Sequence, residues 1–425
     1  MPDVIEEFGR VIEGMAPAHP ARARRLLLAG YRAFGLKLRL APDKRLPPSR
    51  QHAAQAINRT VTRMLSHPEN AALVSVFMPC ELLEAMGIVP MCAELYSCFI
   101  NGTDCEGVFA RQAEEEGLPE TYCSYHKILL GSAYTGVLPP PALVVNTSLV
   151  CDANNLTFRE LARHYGVPQF YVDVPRERSP ESVAYVAEQF RELGAFLEKH
   201  TGRKLDEERL RQVMARSRET VADLRRCLEE KAVHSLPGDV TSELYEIYMA
   251  HNGLGTEMAR QYARELLADL REAPPARGVR LLWLHAVPNW QQPIRELMDL
   301  NDRCQIVACD MNFDSLLDMD PDRPYESMAR RLVYSTWNGG QERVDAAVEA
   351  AKALGVDGVI CFCHWGCKQT MGLSGLFQQE LEAAGFPTLI LNGDGCDRRN
   401  ASDGQVATRL GAFLELLEGR RSHGG

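Results

Sequence analysis

The stretch from Leu143 to Val172 constrains the fold more than any other part of the chain. It opens with a short apolar run, Leu143-Val144-Val145-Asn146. A loop carrying Cys151 comes next, then helical spacing from about Thr157 to Tyr165, the turn Gly166-Val167-Pro168, and a second run, Phe170-Tyr171-Val172. Two buried runs separated by a helix form a βαβ unit, because parallel strands require a long crossover. The alternation extends upstream through Leu73–Met78, a helix over Glu81–Met86 and Val89–Met91, and the downstream run continues over Gln169–Val174. It returns at Val279–His285, Gln305–Ala308, Gly358–Phe362 and Thr388–Leu391, with helices such as Arg343–Ala353 and Leu376–Ala384 between them. Short apolar runs alternating with helices predict parallel sheets covered on both faces.

The remaining segments read as helix. Residues 1–70 are polar with helical spacing, broken at Pro42, Pro47 and Pro48 before a helix through Ala53, Ile57, Val61 and Leu65. Residues 179–275 are rich in Ala, Glu, Leu and Arg, show no strand pattern, and end at Pro274-Pro275, so two or three long helices are expected there. At 425 residues the chain exceeds what one hydrophobic core usually supports. The expected architecture is α/β: an N-terminal helical segment (1–70), a first α/β domain (71–178), a helical connecting segment (179–275) and a second α/β domain (276–425).

Charge and cysteine content narrow the function. The net charge is −10 and no Lys/Arg stripe is interleaved with aromatics, which argues against nucleic acid as a partner. The most basic run, Arg22, Arg24, Arg25, Arg32, Lys37 and Arg39, reads as the solvated face of a helix. The N-terminus lacks the apolar core of a secretory signal, and no window is apolar enough to span a bilayer, so a cytoplasmic protein without a membrane partner is expected. Thiols stay reduced in that compartment, and 13 cysteines there point to metal or redox chemistry.

In open α/β sheets ligands bind beyond the carboxyl ends of the strands. Cysteines crowd those positions: Cys151-Asp152 after the run ending near Asn146, Cys309-Asp310 after Ile306-Val307, and Cys361, Cys363 and Cys367 after Val359-Ile360, with Cys123 at a helix start. The local cluster from Cys361 to Cys367 encloses His364 and would suit zinc, but it has no partner pair elsewhere. Contiguous iron–sulfur spacings are absent as well, so any bound group must draw ligands from distant loops. Cys227, Cys361 and Cys363 read as small core residues, and Cys92, Cys98, Cys105, Cys304 and Cys396 carry no argument for a role. For Cys123, Cys151 and Cys367 the residues alone leave both readings open, core thiol and ligand.

A resemblance selects among them. Met78-Pro79-Cys80-Glu81-Leu82-Leu83-Glu84-Ala85-Met86-Gly87-Ile88-Val89-Pro90 resembles the P-x-E-L-x-x-A-x-G-x-x-P opening of the 2-hydroxyacyl-CoA dehydratase and benzoyl-CoA reductase family. In the family's order come next Cys123-Ser124-Tyr125, Cys151-Asp152, Tyr171 to Pro175, Gly366-Cys367-Lys368, Phe386 to Leu389, Asp394, and Gln405 to Phe413. The resemblance, to the dehydratase component D subunit in particular, implies two Rossmann- or flavodoxin-like domains and a [4Fe–4S] cluster on Cys123, Cys151 and Cys367. One iron of that cluster would stay open for substrate. It further implies one-electron reduction of an acyl-CoA thioester, expulsion of the 2-hydroxyl through a ketyl radical, oxygen sensitivity, and a homologous second subunit or self-dimer. No G-x-x-x-x-G-K-[ST] loop is present, so the iron–sulfur ATPase that activates such enzymes would be a separate protein.

The chain also departs from the family pattern. Many relatives carry a cysteine just before the P-x-E proline or beside it; here Ser75 precedes that proline and Cys80 comes after it. Cys80 is then either a cluster neighbour or fourth ligand, or a thiol whose pKa a helix N-terminus depresses. With Cys80 and Cys309 the chain reaches six cysteines, the number used by relatives that hold an [8Fe–9S] double-cubane cluster. A reductase of that kind, a benzoyl-CoA reductase-like enzyme and a non-catalytic electron-relay subunit are the alternatives. Glu81 reads as a balance for a helix N-terminus before an acid/base, His126 and Lys127 as solvated, and His364 and Trp365 as neighbours that tune the potential of a cluster held by Cys367.

Overall fold

The structure, a computed structural model, describes residues 4–423. Helices α1 (Val4–Met15), α2 (Pro20–Leu40) and α3 (Pro48–Ser66) come first. Both α2 and α3 have proline in the first turn, where a missing N–H costs no hydrogen bond. α2 turns Arg22, Arg25, Arg32, Lys37 and Arg39 to solvent and buries Ala23, Leu27 and Tyr31, the spacing of a one-sided helix.

The first sheet is built from β1 (Ala71–Val74), α4 (Glu81–Ala85), β2 (Val89–Cys92), α5 (Ala93–Gly102), α6 (Glu106–Glu115), α7 (Ser124–Tyr134), β3 (Leu143–Thr147), α8 (Asp152–Tyr165) and β4 (Gln169–Val172). Its strands run parallel in the order β2-β1-β3-β4. β1 and β3 are buried along their whole length, as strands covered on both faces must be, whereas the edge strand β4 is only partly covered. The strand expected over Leu73–Met78 stops at Val74, and the apolar residues beyond it form a loop.

Four helices come next, α9 (Pro180–Thr201), α10 (Glu207–Lys231), α11 (Val240–Ala250) and α12 (Glu257–Glu272), where two or three long ones were expected. Pro237-Gly238 separates α10 from α11. Gly255 separates α11 from α12: its φ is +83°, and a Cβ there would lie 2.5 Å from Val213 Cγ1. Asp206, Asp239 and Thr256 cap the three helix starts through side-chain oxygens.

The second sheet repeats the first. β5 (Val279–Leu284), α13 (Gln292–Met298), β6 (Cys304–Cys309), α14 (Pro324–Val333), α15 (Gln341–Ala353), β7 (Gly358–His364), α16 (Lys368–Ala383), β8 (Thr388–Gly393) and α17 (Asp403–His423) give parallel strands in the order β6-β5-β7-β8. This is the flavodoxin-like winding, in which the chain leaves the first strand for one edge and then crosses to the other side. In each sheet a crevice therefore opens between the first and third strands, β1 and β3 or β5 and β7. α8 and α16 begin directly after Cys151 and Cys367, not at Thr157 and Leu376 as expected. Their polar first turns hide the apolar spacing although they are already helical.

Candidate active site

Cys123, Cys151 and Cys367 are the N-cap residues of α7, α8 and α16. Cys151 lies beyond β3 and Cys367 beyond β7, the third strand of each sheet, so each topological switch point contributes one thiol. All three line one cavity of 640 Å³. The approach is backbone against backbone: a Cβ on Gly366 would lie 2.2 Å from Cys123 Cα, so only glycine fits ahead of Cys367. Val150, just before Cys151, has a φ of +79°, which is strained for a β-branched residue and the kind of strain that collects at functional sites.

The sulfurs are not bare. Asn154 N–H donates to Cys151 Sγ at 3.4 Å. His364 Nε2 stands 3.3 Å from Cys123 Sγ, while its Nδ1 accepts the Gly395 N–H at 3.1 Å. A backbone N–H only donates, so Nδ1 carries the lone pair and Nε2 the proton, and burial keeps the ring neutral by lowering its pKa. His364 therefore presents an N–H to Cys123. Behind Cys367, Thr370 Oγ1 lies 3.6 Å from the sulfur and accepts from Arg343 Nη1 at 2.9 Å. Arg343 also donates twice to Asp310 Oδ2 at 2.9 and 2.7 Å, and Asp310 Oδ1 accepts the His285 N–H at 2.7 Å. With Arg343 donating to it, the Thr370 hydroxyl keeps its own proton for a Cys367 thiolate. A buried guanidinium thus sits one residue removed from that sulfur.

Burial raises the Cys123 thiol well above its usual range, and proximity to Cys151 and Cys367 raises it further; burial first, and then Cys367, lift Cys151 to about 12 despite the Asn154 N–H. Three uncompensated thiolates are therefore unfavourable, and the site calls for positive charge, which a metal group supplies by deprotonating the thiols that bind it. Among the described residues, no three or more His, Cys, Asp or Glu close around a single ion position. The thiols surround a cavity and not a point, with three helix N-termini behind them. That donor set fits a polynuclear iron–sulfur group held by three thiolates.

Other residues singled out in the sequence lie elsewhere. Cys80 is buried outside the cavity walls, donating to Met78 O at 3.2 Å and accepting from Asn252 Nδ2 at 3.4 Å; burial, next to Glu81, pushes its pKa up, contrary to the depressed value its helix position implied. Cys309 Sγ donates to His285 O at 3.1 Å and likewise lies outside the walls. Glu81 is buried and salt-bridged to Arg331, with Ser217 Oγ donating to the same oxygen, so it ties α4 to α14 and α10. His126 and Lys127 are buried, not solvated. Lys127 Nζ is paired with Glu114 at 2.7 Å and Asp397 at 3.7 Å, while His126 lines the cavity with Nε2 at 3.9 Å from Cys151 Sγ and a pKa that burial lowers to about 4. Trp365 is 44% exposed, and His364 serves Cys123 in place of its neighbour Cys367.

Two cavity residues escaped the sequence reading. Glu94, in the first turn of α5 beyond β2, accepts the Val76 N–H at 3.0 Å, and burial raises its pKa to about 6. His285, beyond β5, holds a φ of +80°, stacks on His364 at 6.1 Å, and among the described residues has no hydrogen-bond partner for Nδ1. Both stand just past strand ends, so extending the strand-end search from cysteine to every titratable residue would have found them.

Fold and site together define a class: paired flavodoxin-like units whose switch points, with one further helix start, gather three thiols on one cavity. Residues 75–417 match the model of the family described as 2-hydroxyglutaryl-CoA dehydratase, D-component, and the chain belongs to that family. Lactoyl-CoA dehydratase subunit alpha of Anaerotignum propionicum is 24% identical over 378 residues, 80% of this chain and 89% of that one. The (R)-phenyllactyl-CoA dehydratase alpha subunit of Clostridium sporogenes is 20% identical over 81% of this chain and 88% of its own length. (R)-2-hydroxyglutaryl-CoA dehydratase subunit alpha of Acidaminococcus fermentans is 23% identical over 66% and 61%.

Proposed function

We propose that the chain is the iron–sulfur subunit of a 2-hydroxyacyl-CoA dehydratase, a hydro-lyase that removes water after one-electron activation by a separate iron–sulfur ATPase. It works with a homologous second subunit or a second copy of itself. The observation that carries this reading is the convergence of three N-cap cysteines, from three separate helices, on one cavity. Cys123, Cys151 and Cys367 would hold a [4Fe–4S] cluster, which when bound supplies an electron and an open Lewis-acid position for the thioester substrate. Cys80 and Cys309 stand outside the cavity, which favours three thiolates over a six-cysteine double-cubane arrangement.

The chain's own groups supply the rest. His364 Nε2–H and the Arg343–Thr370 pair stabilise negative charge on the sulfurs. Elimination of water requires a proton for the departing hydroxyl and loses one from the neighbouring carbon. Glu94, with a pKa of about 6 beside Cys151, is suited to exchange protons near neutral pH. Neutral His126 and His285 line the same space and offer polar contacts without adding charge. Protein purified without oxygen is expected to be brown, with about four iron and four sulfide per chain, and Cys123→Ala, Cys151→Ala or Cys367→Ala is expected to lower both. Colourless wild-type protein holding one zinc would overturn the reading.

A further inference from the structure

The cavity continues from the cysteines into a limb bounded by α1, α2, α3, α5 and α11, whose walls include Phe8, Phe34, Ala54, Leu95, Phe99 and Leu244. Its charged lining residues are few. Arg50 is held by Glu243 at 2.8 Å and Glu246 at 3.2 Å, and Arg295 is bonded through Nε to Asp299 at 3.1 Å, so each guanidinium is already balanced by carboxylates of the protein. The remaining charged members of the wall, Glu94 and Asp239, are carboxylates and would repel one. A carboxylate carried into this limb would lose its water and meet no uncompensated positive charge, whereas an alkyl or aryl chain would bury apolar surface.

Building on the dehydratase reading, we propose that the limb holds the acyl tail of the substrate, and that the substrate class is 2-hydroxyacyl thioesters with an uncharged apolar tail longer than a methyl group. Acyl groups ending in a carboxylate are excluded. Specificity then comes from an apolar wall whose cations are already balanced by carboxylates.

The test is equilibrium binding by calorimetry under anaerobic conditions, with the protein as isolated and without the activating ATPase, so that nothing turns over. The probes are 2-hydroxyhexanoyl-CoA, 2-hydroxyglutaryl-CoA of similar length, and 2-hydroxypropanoyl-CoA. The hexanoyl thioester is expected to bind at least about 100-fold more tightly than the glutaryl one. Ala54→Phe and Leu244→Phe, which fill the limb at half-buried positions, are expected to weaken hexanoyl binding at least about tenfold more than propanoyl binding. Comparable or tighter glutaryl binding overturns the inference and leaves the dehydratase reading intact. A hexanoyl preference that neither variant alters overturns the assignment to this limb. If no 2-hydroxyacyl thioester binds, and none is dehydrated when the ATPase is supplied, the dehydratase reading falls and the inference with it.

Discussion

At the scale of single residues the proposed chemistry depends on groups that touch sulfur or face the cavity. His364 is fixed as the Nε2–H tautomer by the Gly395 N–H, so His364→Phe removes a donor from Cys123 while keeping a ring in place. The cluster potential is expected to fall by tens of millivolts in a dye-mediated titration monitored by EPR; an unchanged potential would mean that the contact does no electrostatic work. Glu94 gives a pH signature. Burial raises its pKa from 4.5 to about 6, so the folded state favours the protonated form. Its contribution to stability is complete below about pH 4.5 and is lost as the pH rises through about 6, roughly 2 kcal/mol in all. Glu94→Gln mimics the protonated side chain, so urea melts should show the variant gaining about that much on wild type between pH 4.5 and 7. Its turnover should fall by about 100-fold or more. A flat difference across that range would remove Glu94 from the cavity chemistry. In the sequence, Cys123, Cys151 and Cys367 stood out as the proposed ligands only through the family resemblance, because no local spacing links them. Arg343 and Asp310 meet across 33 residues, and nothing in a linear pattern records that.

At the scale of elements, Gly366 sets how closely the start of α16 approaches Cys123. Gly366→Ala places a methyl group against backbone, which must shift, at a cost of about 3 kcal/mol, and the displaced Cys367 should lower iron content. Chemical denaturation and iron analysis read these together; full iron with unchanged stability would show that the approach is looser. α3 is tied to α10 and α11 through Arg50, Glu243, Glu246 and Lys231, all buried. Arg50→Met leaves carboxylates short of a partner and is expected to destabilise by about 3–5 kcal/mol in the same melts. A loss under about 1 kcal/mol would show that the network relaxes around the gap. The elements themselves were largely legible: all eight strands among the described residues fall on the apolar runs, the central ones because a strand covered on both faces must be apolar throughout. Helix starts were less so, since the first turns of α8 and α16 are polar, and the break between α11 and α12 depends on a glycine conformation that composition does not reveal.

At the scale of the whole molecule, the proposed site arises from repetition. Two sheets wound in the same order offer two switch points, and the chain places one cysteine on each and a third at the start of α7. Thiols set beside two separate sheets make the site depend on how those sheets pack, which is why no contiguous motif marks it. Three thiolates holding a four-iron cluster would leave one iron unlike the others. Mössbauer spectroscopy of ⁵⁷Fe-enriched protein tests it most directly. Two iron environments are expected in a ratio of about three to one, with the minor one alone shifting when a 2-hydroxyacyl-CoA is added. Four equivalent irons that ignore the substrate, or no iron at all, would contradict it.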